Sequence, residues 1–416
     1  MTLAGIFSKL NQRLRQDLLI PPGDQFDPLN GLRGIACLIV VWCHVAQFGG
    51  FFSQSPSTWN DVPLFFQVVL SMWTALDFFF VLSGFLIGRI LLISLTTTGG
   101  VEFPRFFIRR AMRVFPIYYL VLTLAVFWYT RLDMPYAQLM LVGPDGWAAM
   151  RDISWMNYAY IMNYFFKSGD TNPMSWSWSL CVEEHFYMLI PFLLAILYGT
   201  KRRGVRPAVL IIATLLPFLG RAFQYFLDPS IYIMNGFYYR THNRIDEVMV
   251  GVVIAYFFVH HYDALRKLVE RLGSLCWIGA FVLIGSVWIF GGLYKYGIFV
   301  VVFQFLLCAL GTGLLILNGL FLNNRVTRIL ALRLWYPWAR ISYGIYLIHP
   351  FILFFLMTWQ WAYPDQASLA PARFLLIYLL TILSSGFVAA ISFVCFERPL
   401  IDWGVQISKK LKRKNQ

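Results

Sequence analysis

The chain has 416 residues, of which 59% are hydrophobic and only 13% are charged, roughly half of the ~25% charged share in ordinary soluble domains. So few charges cannot cover a water-facing surface, which excludes an ordinary soluble enzyme, a disordered protein and a small disulfide scaffold. The formal net charge is +14, but the basic residues fall in short blocks between apolar runs. This pattern is typical of membrane-protein loops rather than of a nucleic-acid-binding face. We therefore expect a multi-pass protein of the lipid bilayer with no nucleic-acid partner.

Residues 1–28 predict an amphipathic segment in the cytoplasm or at the membrane interface. Its apolar residues recur at helical spacing, at Leu3, Phe7, Leu10, Leu14 and Leu18. Basic residues occupy other positions on the helical wheel, as in a helix that rests on a membrane surface. The segment lacks the apolar core of a cleavable signal peptide, so we expect the first membrane span to act as an uncleaved anchor.

Ten apolar runs of about the length that crosses a bilayer follow, and residues 29–403 are interpreted as one transmembrane domain. We expect an all-α polytopic fold with about ten membrane helices, near residues 32–50, 64–92, 114–130, 180–199, 207–227, 245–261, 275–291, 297–320, 338–358 and 374–396. The second run is too long for a straight span, so we expect a tilt or a kink near Gly84. The short apolar run 153–166 is expected at the interface, and residues 404–416 are interpreted as a basic cytoplasmic tail.

The distribution of lysine and arginine predicts the orientation of these spans. If both termini lie in the cytoplasm, 26 of the 34 basic residues fall on the cytoplasmic side, and the excess alternates from loop to loop. The positive-inside rule expects this asymmetry. We therefore predict cytoplasmic N- and C-termini.

The first predicted span carries two ionisable residues, Arg33 and His44. Eleven residues at ~100° each make about three turns plus 20°, so both side chains lie on one helix face. Their separation along the axis is about 16 Å in a hydrocarbon core of ~30 Å, which places Arg33 near the cytoplasmic interface and His44 near the midplane. Two interpretations stay open: a functional pair, or a snorkelling arginine with a buried structural histidine.

The second predicted span contains Asp77, followed by Ser83 and Gly84. A carboxylate at this depth must be protonated, paired with a cation or turned toward a polar cavity. Ser83 is a candidate polar contact, although a small residue here also permits simple close packing of helices.

Three arginines precede the third predicted span. Arg109 and Arg113 are four residues apart, and Arg110 and Arg113 are three apart, so these side chains can converge on one helix face. Such a cluster suits a phosphate-bearing ligand, because guanidinium groups bind phosphate through two parallel hydrogen bonds. Ordinary positive-inside charge and binding of lipid headgroups are the alternatives.

Polar residues also occur within or directly before three later spans. The fourth span opens with Trp178, Ser179, Glu183 and Tyr187. Glu183 and Tyr187 share a helix face, although acid near a helix N-terminus also simply favours the helix dipole. Arg244 lies in a run of opposite charges that could neutralise one another. His349 lies in the ninth span, directly before Pro350, which interrupts the helix ladder.

These segments, in this order, resemble family three of the integral-membrane acyltransferases, which includes O-antigen, exopolysaccharide and peptidoglycan O-acetyltransferases. Seven motifs carry the resemblance: LNGLRGIACLIVVWCH at 29–44, ALDFFFVLSGFLI at 75–87, RRAMRVFPIYY at 109–119, SWSLCVEEHFY at 177–187, THNRIDE at 241–247, ISYGIYLIHP at 341–350 and FERP at 396–399. Each motif is weak alone, but seven in order along nearly the whole chain are specific. Two positions depart from the family pattern, since Asn30 stands where Asp is frequent and His185 where Gln is common.

The resemblance implies an O-acyltransferase of the bacterial inner membrane. It would transfer an acyl group, most often acetyl, from cytoplasmic acetyl-CoA to a hydroxyl of an envelope glycan such as lipopolysaccharide, or of a lipid-linked sugar. The implied catalytic residues are Arg33, His44 as general base, and Glu183. The implied CoA-binding residues are Arg109, Arg110 and Arg113, and the implied substrate-binding residues are Asp77, Ser83, Trp178, Ser179, Tyr187, Arg244 and His349. No permanently bound cofactor and no metal is expected, and any periplasmic partner enzyme would be a separate chain.

Alternatives of mechanism and function stay open. Direct attack of the acceptor hydroxyl on the thioester, with His44 as base, competes with a relay through acylated His44 or Ser179. Four aromatic residues could stack on a sugar or form an interfacial belt, namely Trp176, Trp178, Tyr187 and Tyr239. A transporter or flippase could also line its pathway with intramembrane charges, but the sequence shows no internal repeat to favour one. A purely structural subunit is disfavoured by the polar residues inside several spans.

Overall fold

The computed structural model describes residues 12, 14–20, 26–48, 64–131, 144–166, 172–200, 202, 204–230, 233–292, 297–358 and 371–414. Within these ranges the structure is helical and contains no β-strand, which confirms the predicted all-α class. In chain order its α-helices are α1 (Asp27–Phe48), α2 (Leu64–Ser71), α3 (Ala75–Thr97), α4 (Phe103–Arg131), α5 (Pro144–Tyr158), α6 (Met162–Phe165), α7 (Trp178–Gly199), α8 (Val205–Leu227), α9 (Ile233–Gly236), α10 (Thr241–His260), α11 (Tyr262–Leu272), α12 (Leu275–Phe290), α13 (Gln304–Phe321), α14 (Arg325–Leu330), α15 (Trp335–Thr358), α16 (Pro371–Ser392) and α17 (Arg398–Lys414).

Each of the ten predicted spans coincides with helix, but not all are long enough to cross a bilayer. Eight segments of the described chain meet the length and apolarity of a span: Asp27–Gln47, Gln67–Thr97, Phe103–Phe127, Ser175–Gly199, Val205–Leu227, Phe299–Phe321, Trp335–Met357 and Arg373–Leu411. A ninth is added if α10 and α11, which meet at a bend of 114°, form one broken span. The remaining predicted span, α12, has only 16 residues, which is short of the ~20 that a transmembrane helix needs.

Several predicted boundaries differ from the structure. In the long second run, Gly84 lies inside the uninterrupted helix α3; a 3₁₀ turn, Met72–Thr74, joins α2 to α3 within the single candidate span Gln67–Thr97. Residues 153–166 fall in the end of α5 and in α6, and α17 runs without interruption through the predicted start of the tail at residue 404. Of the predicted N-terminal helix, Leu3, Phe7 and Leu10 lie outside the described residues. A single π-helical turn, Arg15–Leu19, carries the buried Leu18.

The chain divides into two compact units. Unit 1 comprises Met1–Ser53, Glu102–Arg151 and Ile329–Gln416, and unit 2 comprises Gln54–Val101 and Asp152–Arg328. The predicted transmembrane domain, 29–403, therefore contains residues of both units. The helices α1, α4, α15, α16 and α17 belong to unit 1, whereas α3, α7, α8, α10, α12 and α13 belong to unit 2.

In unit 1, α1 and α15 lie side by side and run in the same direction. Gly34 packs on the backbone of Trp335, where α15 begins, and Cys37 Sγ lies 3.9 Å from the carbonyl oxygen of Ser342. One turn earlier, Gly31 packs on the backbone of Leu330, the last residue of α14. A side chain at Gly31 would overlap the Leu330 carbonyl group, so glycine is required for this close approach. The contacts advance together along both helices, which sets their register.

In unit 2, α3 and α10 pack in the same close, parallel manner. Gly84 of α3 lies against the carbonyl group of Val248, and Gly251 of α10 lies against the backbone of Val81 and Phe85. The two glycines face each other, so neither helix has a side chain at the crossing. Small residues at such crossings allow membrane helices to approach through van der Waals packing.

Replacing Gly251 with alanine is expected to destabilise the protein, because the added Cβ would overlap the Val81 carbonyl oxygen and the two backbones would have to separate. Overpacking of this kind costs about 1–3 kcal/mol. The measurement is thermal unfolding of the purified variant in detergent. The matched control is Gly285→Ala in α12, where an added Cβ meets nothing within 4 Å; an equal loss in both variants would contradict the packing argument.

Candidate functional site

Two histidines from different helices of unit 1 form a hydrogen-bonded pair. His44 of α1 and His349 of α15 approach to 2.7 Å between Nδ1 of the former and Nε2 of the latter. The rings are almost parallel, with an interplanar angle of 12° and centroids 5.0 Å apart. His349 is fully buried at 0% exposure, whereas His44 is partly exposed.

The partners of His349 determine which nitrogen of His44 can act as a base. Nδ1 of His349 lies 2.9 Å from the carbonyl oxygen of Ile345, and a carbonyl oxygen can only accept, so this nitrogen carries the proton. In the neutral ring Nε2 is then the acceptor, and His44 must donate to it from Nδ1. The lone pair of His44 therefore resides on Nε2, which is the nitrogen able to accept a proton from a reacting group.

The local sequence explains the position of His349. Pro350 follows it and has no backbone N–H to donate to the carbonyl of Tyr346, so one turn of α15 is short of a backbone donor. The imidazole of His349 supplies a donor at this same turn, to the carbonyl of Ile345. The parallel register of α1 and α15 then brings His44 opposite His349.

The other predicted residues of unit 1 lie on α1 and α4. Arg33 is eleven residues before His44 on α1, about 16 Å along the axis, and is partly exposed. Arg109 donates from Nε to the hydroxyl of Ser408 on α17, at 2.9 Å. Arg110 is partly exposed and Arg113 is exposed. One unit therefore holds the candidate base together with all three predicted phosphate-binding arginines.

In unit 2 the structure brings together Glu183, Ser83 and Tyr187. The Ser83 hydroxyl donates to one carboxylate oxygen of Glu183, at 2.9 Å, and the Tyr187 hydroxyl donates to the other, at 3.0 Å. Ser83 and Tyr187 are buried, whereas Glu183 is partly exposed. The two hydroxyls thus fix the orientation of the Glu183 carboxylate, which lies near the N-terminal end of α7.

Arg244 of α10 forms the largest buried charge cluster among the described residues of unit 2. It donates to Asp77 of α3 and, from two nitrogens at 2.7 and 3.1 Å, to both oxygens of Glu247. All three side chains have 0% exposure. Burying a guanidinium and two carboxylates carries a large desolvation penalty. Removing one partner destabilises the fold strongly, because it leaves a buried charge without compensation.

Aromatic rings enclose this arginine. Its guanidinium carbon lies between 4.2 and 5.7 Å from five ring centroids, those of Phe305, Tyr238, Trp178, Trp73 and Phe80. These distances are typical of cation–π contacts. The predicted substrate contacts of Asp77, Trp178 and Arg244 stay predictions, since all three side chains are engaged inside the protein in this structure.

The remaining predicted residues are placed as follows. Ser179 is buried in the first turn of α7, and the four aromatics considered for sugar stacking, Trp176, Trp178, Tyr187 and Tyr239, are all buried. His349, predicted to bind substrate, is buried and is hydrogen-bonded to His44. No group of three or more metal-ligating residues occurs within the described ranges.

Sequence reasoning missed two partners in unit 2. Glu247 lies in the run of opposite charges that contains Arg244, and Arg221 of α8 lies inside the fifth predicted span; neither is among the predicted site residues. Arg221 is fully buried and pairs with Asp246 through both nitrogens, at 3.1 and 2.6 Å. The available signal was an arginine deep inside an apolar run, which requires a carboxylate partner.

Comparison with known proteins identifies the family of this chain. A model of the acyltransferase domain family matches residues 27–390. The chain belongs to this family. The predicted family and the predicted class, an acyltransferase, are thereby confirmed, and the matched range includes both the histidine pair and the Glu183 cluster.

Three relatives illustrate the similarity. The chain is 29% identical over 231 residues, 55% of its length, to a Bacillus subtilis protein whose name proposes a peptidoglycan O-acetyltransferase. It is 27% identical over 283 residues, 64% of its length, to a Staphylococcus aureus protein whose name proposes an O-acetyltransferase. It is 29% identical over 247 residues, 58% of its length, to the peptidoglycan O-acetyltransferase of Listeria monocytogenes. The matches cover only 32%, 42% and 35% of these relatives, and no solved structure matches the chain significantly.

Proposed function

We propose that the protein is a membrane O-acetyltransferase that moves an acetyl group from acetyl-CoA to a hydroxyl of a cell-envelope glycan or lipid-linked sugar. The observation that carries the proposal is the His44–His349 pair. Its hydrogen bond engages Nδ1 of His44, so the basic nitrogen of His44 is Nε2, on the other side of the ring. Family membership and the O-acetyltransferase names of the relatives support the reaction class.

In the proposed reaction the acceptor hydroxyl gives its proton to Nε2 of His44 while its oxygen attacks the carbonyl carbon of the thioester. The tetrahedral intermediate then expels the CoA thiolate as the carbon–sulfur bond breaks, and the thiolate takes the proton from His44. The hydrogen bond to His349 holds the ring during both transfers and stabilises the transient imidazolium. A base so placed contributes about 10²–10⁴-fold to the rate.

The arginines of unit 1 are proposed to bind the donor. CoA carries several phosphates, and Arg110 and Arg113 on the first turns of α4 supply guanidinium groups for them. Arg109 is partly committed to Ser408, so its proposed role is the weakest of the three. With cytoplasmic termini, as the basic residues predict, this end of unit 1 would face the cytoplasmic pool of CoA in a bacterial inner membrane.

Glu183 is proposed to receive the acceptor. Its carboxylate is ordered by two hydroxyls and remains partly exposed, so it can accept a hydrogen bond from a sugar hydroxyl. Lipopolysaccharide, exopolysaccharide and peptidoglycan precursors all present such hydroxyls. Ser83 and Tyr187 then act as positioning residues rather than as direct contacts.

The test is transfer of radiolabel from [¹⁴C]acetyl-CoA to envelope glycan in membranes that contain the wild-type chain. We expect alkali-labile label in the glycan fraction, and none in membranes from the empty vector. Absence of label with acetyl-CoA and with longer acyl-CoA donors would contradict the proposal. Acceptor glycan that crosses sealed vesicles unmodified would instead favour a transporter or flippase.

Replacing His349 with alanine is expected to lower kcat for acetyl transfer by about 10²–10⁴-fold, because His44 loses the acceptor that fixes its tautomer. Loss of the corresponding orienting carboxylate in serine proteases has an effect of ~10⁴. The variant His349→Gln offers an amide oxygen that can accept from Nδ1 of His44, so it should retain more activity than the alanine variant. Steady-state kinetics with acetyl-CoA check this; equal kcat in the wild type and the alanine variant would refute the orienting role.

A further inference from the structure

Two buried ion pairs of unit 2 lie beside each other. Asp246 of α10 pairs with Arg221 of α8, and the next residue of α10, Glu247, pairs with Arg244. The ring of Phe305 lies near both guanidinium groups, with its centroid 5.0 Å from the guanidinium carbon of Arg221 and 4.2 Å from that of Arg244. The two ion pairs therefore occupy one buried region, in which their charges act on each other.

The charges of this region do not balance. Its cations are Arg221 and Arg244, and its carboxyl groups are those of Asp77, Asp246 and Glu247, all with 0% exposure. If every group were ionised, three negative charges would face two positive charges. An uncompensated charge in an apolar interior is so costly that a buried ionisable group takes its neutral form instead. The region therefore requires one further positive charge.

The other charged side chains of unit 2 do not supply this charge. Among the described residues of the unit, the one further buried charged side chain is Glu184 of α7, at 5% exposure. A carboxylate there adds negative charge rather than removing it. His185 of α7 and Arg240, which precedes α10, are partly exposed, so water screens their charges.

The hydrogen bonds of the three carboxyl groups locate the missing charge. Arg221 donates to both oxygens of Asp246. Arg244 donates to both oxygens of Glu247 and to Oδ1 of Asp77. Five of the six carboxyl oxygens thus accept from a guanidinium group, and the sixth, Oδ2 of Asp77, is buried without a hydrogen-bond partner among the described residues. One excess negative charge therefore coincides with one unsatisfied oxygen.

The carboxyl groups of Asp77 and Glu247 are close enough to share a proton. Nη2 of Arg244 donates to Oδ1 of Asp77 and, at 3.1 Å, to Oε2 of Glu247, so both groups contact the same nitrogen. The side chains of Asp77 and Glu247 are also within hydrogen-bonding reach of each other. Since an ionised carboxylate can only accept, a hydrogen bond between the two requires a proton on one of them.

A proton suits this site better than a metal ion. Hard metal cations take about six or more oxygen ligands, whereas five of the six carboxyl oxygens here already accept from arginine. The two guanidinium groups would also repel a metal cation. No group of three or more metal-ligating residues occurs within the described ranges of the chain.

We infer that Asp77 and Glu247 bind one proton between them, held on Oδ2 of Asp77 and donated to the carboxylate of Glu247. The proton neutralises the excess charge of the region and gives the unsatisfied oxygen a hydrogen bond. It is taken up from water when α3 and α10 assemble, and it then adds a hydrogen bond between these helices. The inference does not depend on the proposed acetyl transfer, because the proton belongs to the folded unit.

The experiment is infrared difference spectroscopy of the purified full chain at neutral pH, which separates the C=O stretch of a protonated carboxylic acid from the bands of carboxylates. We expect a carboxylic-acid band in the wild type that is lost in Asp77→Asn. We expect the same loss in Glu247→Gln, because two carboxylates then face two guanidinium groups and Asp77 ionises. In wild-type protein grown with aspartate labelled with ¹³C at its side-chain carboxyl carbon, the band should shift to lower frequency.

The matched control is Glu270→Gln in α11. Glu270 is an exposed carboxylate that pairs with Arg266, at 2.8 Å, so its replacement should leave the carboxylic-acid band of the wild type intact. Gel filtration and thermal unfolding show which variants are folded. If Asp77→Asn does not fold, the labelled wild type and Glu247→Gln together still carry the test.

Three results would overturn the inference. Identical carboxylic-acid bands in the wild type and both variants would show that neither Asp77 nor Glu247 affects a bound proton. A band that is lost in Asp77→Asn but persists in Glu247→Gln would show a neutral aspartic acid that shares no proton with Glu247. No such band in the wild type, together with radioactive sodium retained by the purified protein, would assign the balancing charge to a metal cation.

Discussion

Replacing His44 with alanine is expected to lower the rate of acetyl transfer by about 10²–10⁴-fold, while the protein remains folded. The loss should appear in kcat, because the imidazole accepts the acceptor's proton in the transition state and contributes little to ground-state binding of CoA. His44→Gln should be equally inactive, since an amide can hydrogen-bond to the hydroxyl but cannot take its proton at neutral pH.

Membranes with matched amounts of each variant, assayed with [¹⁴C]acetyl-CoA, provide the measurement. His242→Ala is the control, because His242 is an exposed histidine of unit 2 with no proposed role. Wild-type activity in His44→Ala would refute the base assignment. Label that remains on the protein after removal of acceptor, and that disappears in Ser179→Ala, would replace direct transfer by the acyl-serine relay.

The sequence predicts a role for His44 of the histidine pair, but it does not predict the contact of His349 with His44. Arg33 and His44 belong to one helix, so their common face follows from the 3.6-residue period alone. The contact of His44 with His349 joins residues 305 positions apart, and no periodicity encodes a contact between separate helices. The sequence alone identifies His349 only as an ionisable residue before a proline, and the family resemblance implies a substrate-binding role for it rather than a contact with His44.

In unit 2, likewise, the sequence identifies the charged residues but not which of them pair with each other. Asp77 and Arg244 are charges in apolar surroundings that require compensation, and the structure pairs them with each other. The carboxylate of Glu183 instead accepts hydrogen bonds from the hydroxyls of Ser83 and Tyr187. Which charge compensates which depends on the parallel packing of α3 with α10, which brings Asp77 to Arg244. Burial of the aromatic cage likewise depends on helix packing, and composition alone cannot distinguish it from an interfacial belt.

Removal of the Arg244 side chain is expected to be the most destabilising single substitution considered. In Arg244→Met the carboxylates of Asp77 and Glu247 stay buried at 0% exposure without their cation. Breaking a buried ion pair in this way costs about 3–5 kcal/mol, a large fraction of the ~5–15 kcal/mol that stabilises a typical domain. We expect low yield of folded protein and a marked fall of Tm in detergent.

Compensating substitutions test whether the destabilisation comes from uncompensated charge. The triple variant Arg244→Met, Asp77→Asn and Glu247→Gln removes the cation and both anions, so it should recover part of the Tm lost by Arg244→Met alone. The control is Arg266→Ala in α11, which breaks an exposed pair with Glu270, at 2.8 Å, and should leave Tm unchanged because exposed pairs contribute little. A wild-type Tm in Arg244→Met would refute the buried-cluster argument.

The same variants decide the open role of Arg244 in substrate binding. If the arginine only holds α3 and α10 together, the triple variant should transfer acetyl in proportion to its folded fraction, with an unchanged KM for the acceptor. If the cluster opens to bind a sugar, KM for the acceptor should rise in the triple variant even where folding is restored. The engagement of every charged group of the cluster by another, inside a shell of five aromatic rings, favours the first outcome.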